Sequence, residues 1–211
     1  PLEMNNTFVY TRRFAPKKIS NYAFGYIYSD SLKKYILPDE LEETKMVIWL
    51  DGIVGDGTVN STVNDLLKWD RALYTEKLVS SESKKEIFSA VELNNKSKRD
   101  YGFGWALSDD ETYGKIVNHS GGWPGYKTFI ERHIDNDKTI IVLQNHESVS
   151  TTKLFAYLRS IIYNKPLPVK KERTEIKLTN EQLQKFVGVF EIQESMEVTV
   201  SLKSNQLFVQ L

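Results

Sequence analysis

The amino-acid sequence predicts an α+β fold in which helices pack an antiparallel sheet, followed by the start of a small β-domain. Three observations carry this. Residues 115–119, 126–133 and 139–144 alternate with a period near two and read as strands, the last two joined by a tight turn at Asp135-Asn136-Asp137. Residues 151–163 place Leu154, Phe155, Leu158, Ile161 and Ile162 on one apolar stripe, which reads as a helix laid on that sheet. Beyond "NKPLPVKKER", which reads as a linker, "MEVTVSLKSNQLFVQL" alternates as two strands about Lys203-Ser204-Asn205.

The remaining elements follow in chain order. "NYAFGYIY" (21–28) alternates enough for a short strand, Pro38 with "DELEET" marks a loop, and "KMVIWL" is a short apolar run. Gly52, Gly55 and Gly57 form a loop. Thr62 with Asp65 three residues on is a helix start, and Val63, Leu66, Leu67 and Leu73 at helical spacing extend it over 62–74. A second helix fits 81–91, with Ile87, Phe88 and Val91 inward. "YGFGWAL" reads as a strand whose glycines admit a close neighbour. Thr179 and Gln182 make a capping box. Trp49, Trp69 and Trp105 are expected in the core, whereas Trp123 fits either the core or a cleft wall. The chain divides into 1–165, a linker at 166–175, and 176–211.

Composition narrows the chemistry. Of 211 residues, 40% are hydrophobic, enough for a real core, and the formal net charge is zero, so no electrostatic footprint for nucleic acid is present. The absence of cysteine excludes disulfides, a thiol nucleophile and Cys-ligated zinc. His119, His133 and His146 lack zinc-ligand spacing, and Gly55-Asp56-Gly57 is not followed by the Gly-Lys-Ser/Thr of a phosphate loop. Neither a metal nor a cofactor is expected. No run is long and apolar enough to span a bilayer. The chain opens at Pro1 in what reads as the middle of a longer sequence, so targeting information is expected before it.

The stretch "IVNHSGGWPGYKTF" sets a lone histidine and a hydroxyl beside two glycines between two strands. Acyl transfer needs a nucleophile, a base and donors for an oxyanion. A glycine beside a strand lets a substrate carbonyl approach the backbone, because no Cβ blocks it. Gly122 N–H could then be such a donor, with His119 and Ser120 on the same edge. A glycine turn with an incidental histidine explains the same spacing, and a lone His-x-Gly is a weak motif.

Four stretches, taken in order, add weight: "PLEMNNTF", "GDGTVNSTVNDLLKWDRAL", "YGFGWAL" and "HSGGWPGYKTFIERHIDNDKTIIVLQN". Together they resemble the serine β-lactamase and penicillin-binding-protein superfamily, in its class C, esterase and D-aminopeptidase branch. There the third motif, Lys-Thr-Gly, is often replaced by His-x-Gly, here His119-Ser120-Gly121. The first stretch is similar to a Pro-Leu-Gly-Met…Thr segment, with Glu3 where the glycine usually stands. The resemblance covers roughly 1–165 and implies the C-terminal part of a β-lactamase/transpeptidase-like fold, with 176–211 beginning an appended β-domain. It implies small peptide, ester or amide substrates attacked through an acyl-enzyme, and an extracytoplasmic (periplasmic or secreted) bacterial location. It places Gly122 N–H in the oxyanion hole, His119 in the role of the lysine, and Ser120, Gly121 and Trp123 at the substrate. An imidazole is uncharged over much of the physiological range, which favours an esterase or D-amino-acid peptidase over an enzyme that grips a penicillin carboxylate.

The family's Ser-x-x-Lys and Tyr-x-Asn are expected before "PLEMNNTF", so this chain is expected to lack the nucleophile. Ser-x-x-Lys does occur at Ser31–Lys34, Ser81–Lys84 and Ser150–Lys153, but each is expected on a solvated surface. Ser150, Lys153, Tyr157, Ser160 and Asn164 share a polar helix face. The alternative is a catalytically inactive relative that binds peptide or cell wall. A two-stranded tail is marginal alone and leaves unpaired edges, so 176–211 is expected to dock on the rest of the chain or to mediate self-association.

Overall fold

The structure, a computed structural model, describes residues 2–146, 151–169, 176–193 and 196–210. Its first strands are β1 (Phe8–Val9), β2 (Ile27–Ser29), β3 (Lys34–Ile36), β4 (Val59–Asn60), β5 (Val91–Glu92) and β6 (Lys98–Arg99). These pair as three short ribbons, β1 with β4, β2 with β3 and β5 with β6. The main sheet follows: β7 (Tyr101–Gly102), β8 (Trp105–Asp110), β9 (Gly114–Trp123), β10 (Tyr126–His133) and β11 (Lys138–Gln144), antiparallel in the order β11-β10-β9-β8-β7. The helices of this part are α1 (Val47–Leu50), α2 (Val63–Ala72), α3 (Ser81–Ile87) and α4 (Thr151–Ile162).

Side-chain alternation along β10 decides what packs on each face. Phe129 faces Phe155 of α4, with ring centroids 4.2 Å apart. The other face meets α2, where Leu73, Trp105 and Val117 form the buried centre and the Trp69 and Trp105 rings stack at 5.8 Å. Glu131 and Arg132, adjacent in sequence, send charges to opposite faces. Arg132 Nε donates to Asp70 Oδ1 at 2.5 Å, and Thr139 Oγ1 donates to the same oxygen at 2.9 Å. Arg159 donates to both Glu131 oxygens, at 2.6 and 2.5 Å. His133 Nε2 lies 2.9 Å from Glu131 Oε1, and its Nδ1 lies 3.0 Å from the Tyr163 hydroxyl. Burial opposes the Glu131 charge, yet the Arg159 and His133 hydrogen bonds prevail and hold its carboxyl below the usual range.

The chain forms two compact units, Pro1–Pro168 and Val169–Leu211. The second holds α5 (Asn180–Gln184), started by the Thr179–Gln182 capping box, and a three-stranded antiparallel sheet of β12 (Gly188–Gln193), β13 (Met196–Lys203) and β14 (Gln206–Gln210). Ser204 and Asn205 turn between the last two with left-handed φ of 48° and 63°. Val198 is buried, with Val200, Leu202, Leu207 and Val209 on its side of the sheet.

The antiparallel sheet and the 151–163 helix agree with the sequence reading, but several details differ. "YGFGWAL" is a hairpin, because Phe103 and Gly104 adopt φ of 46° and 87° and reverse the chain. Within "NYAFGYIY" only Ile27–Tyr28 is strand. Asp135-Asn136-Asp137 is a 3₁₀ turn, Ile134–Asn136, closed by left-handed Asp137. The tail has three strands, since "GVFEIQ" pairs with β13. Val63, Leu67, Ile161 and Val91 are exposed although their spacing marks them apolar-facing, whereas Ser160 is buried with its hydroxyl donated to the Ala156 carbonyl. Trp49 is 78% exposed, because the one-turn α1 buries Val47 and leaves the opposite side to solvent. Ser150, Leu211 and the last four residues of "NKPLPVKKER", 170–173, lie outside the described residues.

Candidate active site

The edge carrying "HSGGW" is built by a mismatch in strand length. β8 pairs with β9 only from Ala106↔Asn118 to Asp110↔Gly114. β10 pairs with β9 along its whole length to Tyr126↔Trp123. His119–Trp123 therefore stay extended, rather than ending the strand at 119, and among the described residues no strand covers their other side. Pro124 and Gly125, the latter at φ 86°, make the two-residue turn of the hairpin. A Cβ on Gly125 would lie 2.5 Å from the Gly25 backbone, so the turn is pressed against a second loop.

That turn fixes which backbone groups are free. Trp123 and Tyr126 close the hairpin as a hydrogen-bonded pair, so alternation makes Gly122 and Lys127 a non-hydrogen-bonded pair. The N–H and C=O of Gly122 point to the open edge. A Cβ at Gly122 would meet nothing within 4 Å, whereas one at Gly121 would run into Thr128 Oγ1. Gly121 is thus required by packing, while Gly122 leaves space that packing does not require.

His119 and Ser120 share this edge and are both exposed, but they leave the strand on opposite faces. His119 Nε2 lies 2.9 Å from the Tyr101 hydroxyl. Trp123 shares the His119 face, and its ring lies over Gly57, where a Cβ would be 2.7 Å from it. The Gly55–Gly57 loop therefore seats the indole. Trp123 lines a cavity of about 290 Å³ with Ile27, Thr44, Gly122, Pro124 and Tyr126. The Tyr126 hydroxyl donates to the Ala23 carbonyl at 2.8 Å, and burial, then the Tyr22 hydroxyl beside it, push its phenol well upward.

The N-terminal stretch is tied to the start of α2. Thr62 caps that helix by accepting from Asp65 N–H at 3.2 Å. The Asp65 carboxylate accepts from Asn6 N–H at 2.8 Å, Thr7 Oγ1 at 3.0 Å and Lys68 Nζ at 3.1 Å. Its burial works against ionisation, but those donors hold the carboxyl below the usual range. The Ser-x-x-Lys pairs do not converge on a site. Ser31 is exposed with its hydroxyl 3.1 Å from Ser29, and Ser81 is exposed while Lys84 Nζ donates to the Thr75 carbonyl. Lys153 is exposed. The sequence reading missed Tyr101; its signal was a phenol in "YGFGW", a stretch read as one strand. Among the described residues no cluster of three or more His, Asp or Glu could hold a metal ion, and no helix is long and apolar enough to cross a membrane.

Residues 1–161 match the family model described as Beta-lactamase, and the chain belongs to that family. It is 42% identical over 217 residues to Penicillin-binding protein 4* of Bacillus subtilis (strain 168), covering 100% of this chain and 48% of that protein. Its fold is similar to the octameric penicillin-binding protein homologue from Pyrococcus abyssi, with TM-score 0.62 and 19% identity over 99% of this chain and 45% of the other. It is also similar to a penicillin-binding protein from Bacillus halodurans, with TM-score 0.58 and 14% identity over 76% of this chain and 46% of the other. The chain thus spans about half the length of the relatives it matches.

Proposed function

We propose that this chain forms one wall of a serine hydrolase active site that cleaves amide or ester bonds through an acyl-enzyme, with the nucleophile supplied from outside these 211 residues. The carrying observation is the open edge of β9, where a carbonyl can reach the Gly122 N–H with no Cβ in the way. The serine hydroxyl passes its proton to a base that also lies outside these residues and attacks the carbonyl carbon, moving the C=O π pair onto the carbonyl oxygen. Gly122 N–H and the nucleophile's own N–H donate to that charged oxygen. When the pair returns, the ester C–O or amide C–N bond breaks and the alcohol or amine leaves with the proton held by that base. His119 stands where the family's lysine would, and Trp123 with its cavity takes an apolar part of the substrate. A histidine in place of a permanent ammonium favours ester or D-amino-acid peptide substrates over capture of a penicillin carboxylate. Likeness to penicillin-binding proteins supports work outside the cytoplasm at the cell wall, and the octameric homologue supports self-association, which we assign to 176–211.

Intact-mass spectrometry after exposure to a penicillin or an activated ester tests this. The expected result is no adduct on this chain and a stoichiometric adduct on the full-length gene product, at a serine outside these residues. An adduct on Ser31, Ser81 or Ser150 would overturn the assignment. Absence of an adduct from both proteins would instead support an inactive relative that binds peptide or cell wall.

A further inference from the structure

We propose that Tyr101 is the positioning residue for His119: its hydroxyl holds the imidazole through Nε2, leaves the ring proton on Nδ1, and so makes His119 a neutral hydrogen-bond donor at the open edge. This rests on the reading of that edge as an acyl-transfer wall.

The phenol oxygen lies 2.9 Å from Nε2, and the two rings are 6.0 Å apart and tilted by 59°. A phenol O–H is a stronger donor than a neutral imidazole N–H, and the ring's bare nitrogen is a stronger acceptor than a phenol oxygen, so the hydroxyl donates and Nε2 accepts. A neutral imidazole carries one proton, which then sits on Nδ1. No partner for Nδ1 occurs among the described residues, so it is the nitrogen left for a substrate. A protonated Nδ1 cannot act as a base. It can donate to a carbonyl or carboxylate oxygen beside the scissile bond, and the group it suits is an uncharged ester or peptide acceptor.

Tyr101 is held firmly enough for the task. It sits opposite Ala106 on β8, and the Asp100 carbonyl accepts from Leu107 N–H at 2.9 Å. Its neighbour Gly102 lies so close to the segment after α3 that a Cβ there would be 2.5 Å from the Ser89 carbonyl oxygen. β7 is thus clamped between β8 and that segment, and the phenol reaches His119 from a fixed base.

The test is the imidazole ¹⁵N shifts and long-range ¹H–¹⁵N couplings of this chain at neutral pH, with His119 assigned by its loss in His119→Gln. Expected are an Nδ1–H ring at His119 and, in Tyr101→Phe, a shift toward the Nε2–H tautomer, with His133 unchanged as an internal control. In the full-length protein Tyr101→Phe should lower kcat/KM for an ester about fivefold to tenfold, the worth of one net hydrogen bond. An Nε2–H ring in the unsubstituted chain, or a tautomer unmoved by Tyr101→Phe, would overturn the proposal. If Tyr101→Phe does not fold, the spectrum of the unsubstituted chain decides alone. An Nδ1–H ring in a full-length protein that never forms an acyl-enzyme would uphold the Tyr101–His119 arrangement and overturn the hydrolase reading instead.

Discussion

Glu3 stands where the family segment usually carries glycine, and its φ of 54° shows why glycine suits the position. A left-handed residue with a Cβ costs about 1–2 kcal/mol, and glycine returns part of that through its larger unfolded-state entropy. Glu3→Gly should therefore raise stability by about 0.5–1 kcal/mol, read from urea midpoints. The paired glycines of "HSGGW" separate packing from chemistry in the same way. Gly121→Ala should destabilise by about 1–3 kcal/mol through its clash with Thr128. A Cβ added at Gly122 meets no atom within 4 Å, so the midpoint of Gly122→Val should stay within about 0.5 kcal/mol. In the full-length protein it should still lower ester turnover by about 10²–10³, as expected for a blocked oxyanion donor. A Gly122→Val enzyme with full turnover would remove the oxyanion role. Equal destabilisation by both substitutions would remove the distinction. The two glycines look alike in sequence, because register against Thr128 separates them and register is a property of the paired strand.

At the scale of elements, what was legible is what local rules determine. Thr62 and Thr179 both cap helices as their spacing implies, and the alternation from 126 to 144 gives β10 and β11 with little error. The charges of "ERH" on β10 were not legible, since a period-two reading assigns alternate charged positions to solvent. Here both faces are covered by helices, so the charges are buried and must be paired. The two clusters should differ in cost. Asp70→Asn strips the counter-ion from Arg132, whose side chain is 1% exposed, and should cost about 3–5 kcal/mol. Glu131→Gln leaves Arg159, whose side chain is 33% exposed and can turn to water, and should cost less, about 1–3 kcal/mol. The Glu131 carboxyl is held below its ordinary value of 4.5, so it binds fewer protons folded than unfolded in that range. Its contribution is complete above pH 4.5 and is lost as pH falls through the lowered value. Chemical denaturation across this window should therefore show a shallower acid loss in Glu131→Gln than in the unsubstituted chain. Parallel curves would contradict the assignment.

At the scale of the whole molecule, the series of motifs along 1–165 was enough to place the chain in its family, because the motifs recur in order over most of the chain: the first two meet at the β1–β4 ribbon and the start of α2, and the last two build the main sheet. The tail was less legible. Its third strand hides in "GVFEIQ", which follows a helix start without a turn signature, and Gly188 begins it. Three strands and a five-residue helix still cannot enclose a core. Phe190 and Val209 are exposed on the side of the sheet that carries buried Val198, while Val189 and Phe208 are exposed on the other. Large apolar residues left open on both faces of so small a sheet favour association. Among the described residues, β12 and β14 also present unpaired edges to which another strand could add. The self-association proposed for 176–211 takes a second copy as the partner. Sedimentation at matched concentrations should then give a larger assembly for this chain than for a variant ending at residue 168, and binding of an apolar-surface dye per chain should change on truncation. Identical sedimentation and dye binding for the two would make the tail an independent appendage and remove the assembly role assigned to it.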